Sequence, residues 1–168
     1  METIIWLITI TFSIAISCIA MKSLNKDKKV KQKYDERQLL VRGNAYQYGF
    51  LATLITNGVL MVLSVDNQTK FLGVSAFFLP IFVGIVAQIT YSIFKDAYIG
   101  LNANTKSYLI FMAFVGILNL AIAIIATING ELIEDGVLSY SFLNYLCGGL
   151  FIILGLELFI KSRLDKKA

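Results

Sequence analysis

Histidine is absent from this 168-residue chain. Its absence excludes imidazole acid–base catalysis, Ser-His-Asp and Cys-His nucleophile systems, histidine-ligated haem and histidine-containing zinc sites. Cysteine is scarce: Cys18 and Cys147 are too few for a thiolate metal cage. Their expected depths in a membrane differ by roughly 13 Å, beyond the reach of a disulfide. The one proline, Pro80, leaves no room for a proline-rich linker. Charged residues make up only 15% of the chain, against about 25% in a soluble domain. No glycine-rich phosphate loop, nucleophile elbow or His/Asp/Glu metal constellation occurs, so no cofactor or metal is expected. The acidic stretch 129–136 lacks the ligand spacing of an EF-hand and reads as a solvated turn.

What fills the chain instead is apolar: 57% hydrophobic residues and a mean hydropathy of +0.73. A helix crossing about 30 Å of hydrocarbon needs roughly 20 mostly apolar residues. Five stretches qualify, at about 3–21, 48–64 (extending back to Ala45 in the same helix), 71–94, 107–127 and 140–160. Their apolar runs are continuous rather than alternating, which disfavours barrel strands. The expected fold is therefore all-α, a single integral membrane bundle of five transmembrane helices.

Lysine and arginine set the expected orientation. The segment 22–47 holds eight of them, the connection 95–106 two and the tail four, whereas the intervening connections hold only Lys70. With five crossings the rich segments share one side, which the positive-inside rule makes cytoplasmic. The N-terminus is then outside and the C-terminus inside. Tyr46, Tyr48, Tyr91, Tyr98 and Tyr108 fall at the expected inner interface, and Trp6, Tyr140 and Tyr145 near the outer one. The first span lacks a basic n-region and is followed by positive charge, the order of an anchor rather than a cleaved signal.

The basic segment 22–47 is the most distinctive part of the chain. It suits anionic lipid, each Lys or Arg contributing about 1 kcal/mol near a charged leaflet. Leu39, Leu40 and Tyr46 among charges suggest a helix lying at the interface. Nucleic acid is not an expected partner, because no recognition fold accompanies the run. Asp35, Glu36, Arg37, Gln38 and Arg42 share the inner side with Lys95 and Asp96 of the next inner loop. The two segments are expected to pack into one mixed-charge cap, a docking face for a cytosolic or membrane protein.

Within the spans, small and polar residues recur at helical spacing: Ala45, Gly49, Thr53 and Asn57; Pro80, Gly84, Gln88 and Ser92; Gly116 and Asn119; Asn144 and Gly148. Such stripes let helices approach, and Asn57, Gln88, Asn119 and Asn144 are expected to hydrogen-bond across helices. Pro80 is expected to kink its span. Glu157 is the only ionisable residue inside a span, and Lys161 four residues on is its expected ion-pair partner.

The stretch YDERQLLVRGNAYQYGF, with Lys95-Asp96-Ala97-Tyr98 later, resembles a pattern in small multi-pass membrane proteins of low-GC Gram-positive bacteria. There Asp-Glu-Arg-Gln is followed by Arg-Gly and a span. The resemblance implies membrane location and no activity. The expected function is that of a non-enzymatic accessory, regulatory or immunity-like membrane protein. The alternative is a small transporter or channel subunit acting as a homo-oligomer, with Asn57, Gln88 and Asn119 lining the path. A lipid-acting enzyme would have only Glu157 or the Asp35/Glu36 pair to work with.

Overall fold

A computed structural model describes residues 33–165 except residue 102; the expected first span, 3–21, and the first part of the basic segment lie outside the described residues. The described chain forms four long helices: α1 (Glu36–Val65), α2 (Ser75–Phe94), α3 (Thr105–Ile128) and α4 (Phe142–Leu164). All four are long and apolar enough to cross a membrane. Their side chains distribute accordingly. Met61, Val62, Phe77 and Ile110 are each at least 70% exposed. Water would penalise so much contiguous apolar surface, whereas hydrocarbon is its natural solvent and the helices satisfy their own backbone groups.

Each expected span on the described residues is found, and the largest boundary difference is at α1. It begins at Glu36, twelve residues before the expected 48. The interfacial helix expected around Leu39 and Leu40 is thus the first part of α1 itself. At about 1.5 Å per residue α1 is roughly 45 Å long, so it outruns a ~30 Å hydrocarbon layer by about 15 Å. Hydropathy registers lipid contact and is blind to a helix that continues into water. Pro80 sits inside α2, and the helix runs unbroken on both sides of it.

Three helices end in the same way. Asn67, Asp96 and Gly130 take left-handed conformations with φ of 58°, 57° and 77°. After α2, the Asp96 N–H donates to the Ile93 carbonyl and the Ala97 N–H to that of Ser92. This Schellman pairing occupies carbonyls that the helix end leaves open. The same pattern follows α1 and α3, through Asn67 with Gln68 and through Gly130 with Glu131.

The helices contact one another in the order α1–α2–α4–α3. Between α1 and α2 the closest approach is glycine on glycine: a Cβ on Gly49 would lie 2.9 Å from the Gly84 carbonyl oxygen, and one on Gly84 would strike the Thr53 hydroxyl. The small stripes expected on these two spans therefore do face each other. On the other side, Gly148 receives Leu120 and Gly116 receives Ile152. Ile93, Met112, Leu150, Leu154 and Leu158 form the buried cluster where α2, α3 and α4 meet.

The all-α expectation needs one correction. The stretch expected as a plain solvated turn is a minimal hairpin, β1 (Ile133–Glu134) antiparallel to β2 (Val137–Leu138). Asp135 and Gly136 form its turn with φ of 50° and 77°. Asp-Gly is a preferred pair for a two-residue hairpin loop with both residues left-handed. Val137 packs against Gly73 in the α1–α2 connection, next to the short 3₁₀ turn Lys70–Leu72. This hairpin end carries Asp66, Glu131, Glu134 and Asp135 with Lys70, whereas Arg37, Arg42, Lys95, Lys106, Lys161 and Arg163 outnumber Asp35, Glu36, Asp96 and Asp165 at the other, basic end.

Candidate functional site

At the basic end, the N-terminal turn of α1 and the loop after α2 are locked together. Asp35 is the N-cap of α1: its Oδ1 accepts from the Gln38 N–H at 2.6 Å, and the Gln38 Oε1 accepts from the Asp35 N–H at 3.3 Å. This is a capping box, satisfying two donors that a helix start leaves open. Glu36 lies exposed in the first turn, where the helix dipole favours a negative charge.

Gln38 does a second job. Its Nε2 donates to the Asp96 carbonyl at 2.7 Å and to the Ile99 carbonyl at 3.3 Å. Both ends of the amide are engaged, and the residue is only 5% exposed. Arg37 Nη1 donates to the Lys95 carbonyl at 3.2 Å, and Arg42 Nη1 to that of Ala97 at 3.4 Å. Arg42 also lies over the Tyr34 ring, 4.4 Å from its centroid. The Schellman turn frees these loop carbonyls to face α1, and side chains from two consecutive turns meet them.

The expected mixed-charge network therefore has a different chemistry. Asp35, Arg37, Gln38, Arg42, Lys95 and Asp96 do come together, but through side chains on backbone carbonyls. Lys95 contributes its carbonyl, and Glu36 stands apart. The ion pair in the cap is instead Lys161 of α4, whose Nζ lies 2.9 Å from Asp96 and 2.6 Å from Asp165. The loop is thus held by α1 on its backbone and by α4 on the Asp96 carboxylate. Tyr98 and Tyr108 meet edge to face within it, with centroids 5.8 Å apart. Burial pushes the Tyr98 phenol above its ordinary value, and the neighbouring Tyr108 adds to the rise. A cavity of about 190 Å³ opens here, lined by Asp96, Tyr98, Thr105, Lys161, Ser162 and Asp165 among others.

Two expectations about the spans are corrected. Glu157 is not paired with Lys161. Its carboxylate accepts from the Thr90 hydroxyl of α2, at 2.8 and 3.0 Å to its two oxygens. Lys161 has carboxylates available in the loop and one turn further along α4, and these hold it at the helix end. The cross-helix amide bonds are not formed either. Asn57 Nδ2 donates to the Thr53 carbonyl and Asn119 Nδ2 to that of Val115, each four residues back in its own helix. Gln88 supplies packing, its Cβ lying against Gly49. Asn144, half-buried near the start of α4, joins no cross-helix hydrogen bond among the described residues. A backbone carbonyl four residues back is always within reach of Asn, whereas a partner on another helix depends on rotation and depth.

Among the described residues no group of three or more His, Cys, Asp and Glu is arranged to hold a metal. Sequence reasoning missed the loop carbonyls and Asp165 as partners. The Asp-x-x-Gln spacing before a long apolar run was the available signal for the cap. Compared with protein-family models, curated proteins and solved structures, the chain matches none.

Proposed function

We propose that this chain is a non-enzymatic, five-span protein of the cell membrane, with its N-terminus outside, its C-terminus in the cytoplasm, and a cytoplasmic cap that docks a protein partner. The role is accessory, regulatory or immunity-like. The observation that carries this reading is the protruding first part of α1. Leu39 and Leu40 are 56% and 72% exposed on it, on a segment that outruns the hydrocarbon layer and is fixed to the loop by Arg37, Gln38 and Arg42. Apolar side chains exposed beside charges, beyond the hydrocarbon, mark a surface that another molecule covers. Anionic lipid headgroups around the basic residues complete the setting.

The test is photo-crosslinking in cells from residues 40 and 44, both exposed on α1. A discrete protein adduct from both positions is expected. Lipid adducts alone would overturn the reading. The transporter or channel alternative has less support, because Asn57 and Asn119 turn their amides back onto their own helices.

A further inference from the structure

We infer that the groove between α2 and α4 is a binding site for a single-headed cationic amphiphile, its amine on Glu157 and its apolar tail running toward Tyr145. The groove is a cavity of about 570 Å³, open to the side and lined by Phe82, Val86, Ala87, Gly149 and Ile153 along its length. Its polar groups are few and placed at the ends: Thr90 and Glu157 at one, Tyr145 at the other.

Charge argues for the head group. Glu157 accepts one neutral hydroxyl and has no cation within ion-pair distance among the described residues. The nearest basic residue on its helix, Lys161, is held by Asp96 and Asp165, and Arg163 lies over the Phe159 ring. Among the described residues the basic end thus supplies no counter-charge to this intramembrane carboxylate. Such a group is costly in hydrocarbon unless something of opposite sign reaches it.

Dimensions argue for the tail. Tyr145 and Glu157 are twelve residues apart, roughly 18 Å along α4, a length that an extended alkyl chain can follow within a ~30 Å hydrocarbon layer. The groove is open to the side along its length, with a carboxylate at one end and a phenol at the other, a layout that suits a single-headed chain lying along it. Gly149 keeps it open without serving internal packing, since a Cβ there would meet nothing within 4 Å.

The experiment uses the full chain in phosphatidylcholine nanodiscs, with hexadecylamine and hexadecanol carrying the same diazirine at mid-chain. The amine is expected to label α2 and α4 around Val86 and Ile153 about tenfold more than the alcohol, the scale of a charge-assisted contact. E157Q, nearly isosteric, should abolish that preference at an unchanged melting temperature. Gly149→Leu should reduce labelling by filling the groove with Glu157 intact. Equal labelling by amine and alcohol overturns the inference, as does a preference surviving in E157Q or adducts confined to the exposed α3 residues Ile110 and Phe114. So does failure of both probes in protein that carries a co-purifying membrane partner, which would assign the groove to that partner's helix.

Discussion

Gln38 concentrates the cap in one side chain, because its amide closes the α1 N-terminus and reaches two loop carbonyls at once. Gln38→Ala should destabilise the cap by about 1–3 kcal/mol, the cost of leaving buried carbonyls unpaired. Gln38→Glu should be at least as damaging, since a carboxylate cannot donate to the Asp96 and Ile99 oxygens. Thermal unfolding in detergent reads both. Asp96 separates two roles. Asp96→Asn keeps a residue that tolerates left-handed backbone and removes only the charge facing Lys161, whereas Asp96→Val should cost about 1–3 kcal/mol more through backbone strain. At Tyr98 the neutral phenol is the form the fold favours. Its contribution is present below the ordinary phenol value of 10.0 and is lost as pH rises through the elevated folded one. Ultraviolet titration should show late-ionising tyrosine absorbance that falls by one residue's worth in Tyr98→Phe. At this scale the sequence was only half legible. Asp-x-x-Gln announces a cap, but the choice between Glu157 and Asp165 as partner for Lys161 is symmetric in spacing. Asp96, distant in sequence, is what settles Lys161 at the helix end.

At the scale of elements, the four described spans could be read because a bilayer demands a minimum apolar length. Their contact order α1–α2–α4–α3 could not, because each helix is apolar nearly all round and offers no single stripe to the partner. At the α1–α2 seam the stripes of small and polar residues marked which faces make helix contacts, though not which stripe meets which. Gly84→Leu should force these helices apart, since even a Cβ meets the Gly49 carbonyl oxygen at 2.8 Å. The expected cost is about 1–3 kcal/mol, typical of overpacking. Gly58→Ala, with nothing within 4 Å, should be neutral or mildly stabilising. Melting temperatures of the two variants, compared side by side, check the assignment. The hairpin at Asp135-Gly136 escaped notice for a different reason: two-residue strands carry too little pattern to register, although the turn pair itself is a known hairpin former.

For the whole molecule, the governing feature is polarity between its ends. Lys and Arg gather where α1 and α3 begin and α2 and α4 finish, whereas the hairpin end holds Asp66, Glu131, Glu134 and Asp135 with Lys70 as its one described basic residue. Under the positive-inside rule this bias is what the proposed orientation, with the basic end in the cytoplasm, rests on. A reporter enzyme fused after Ala168 should therefore be active only inside the cell, and activity outside would reverse the proposed orientation. α1 adds a mechanical property to that polarity. It is one unbroken rod whose tightest contact with its neighbour, at Gly49, lies near its middle, with roughly 20 Å on one side and 24 Å on the other. A rod gripped at its centre behaves as a seesaw. If a cytosolic protein pried Gln38 off the loop and swung Glu36 sideways, Val65 would swing the opposite way by nearly the same distance, carrying the event to the far face with no channel and no chemistry. Spin labels at residues 36 and 65 would register that as two displacements of similar size and contrary sense.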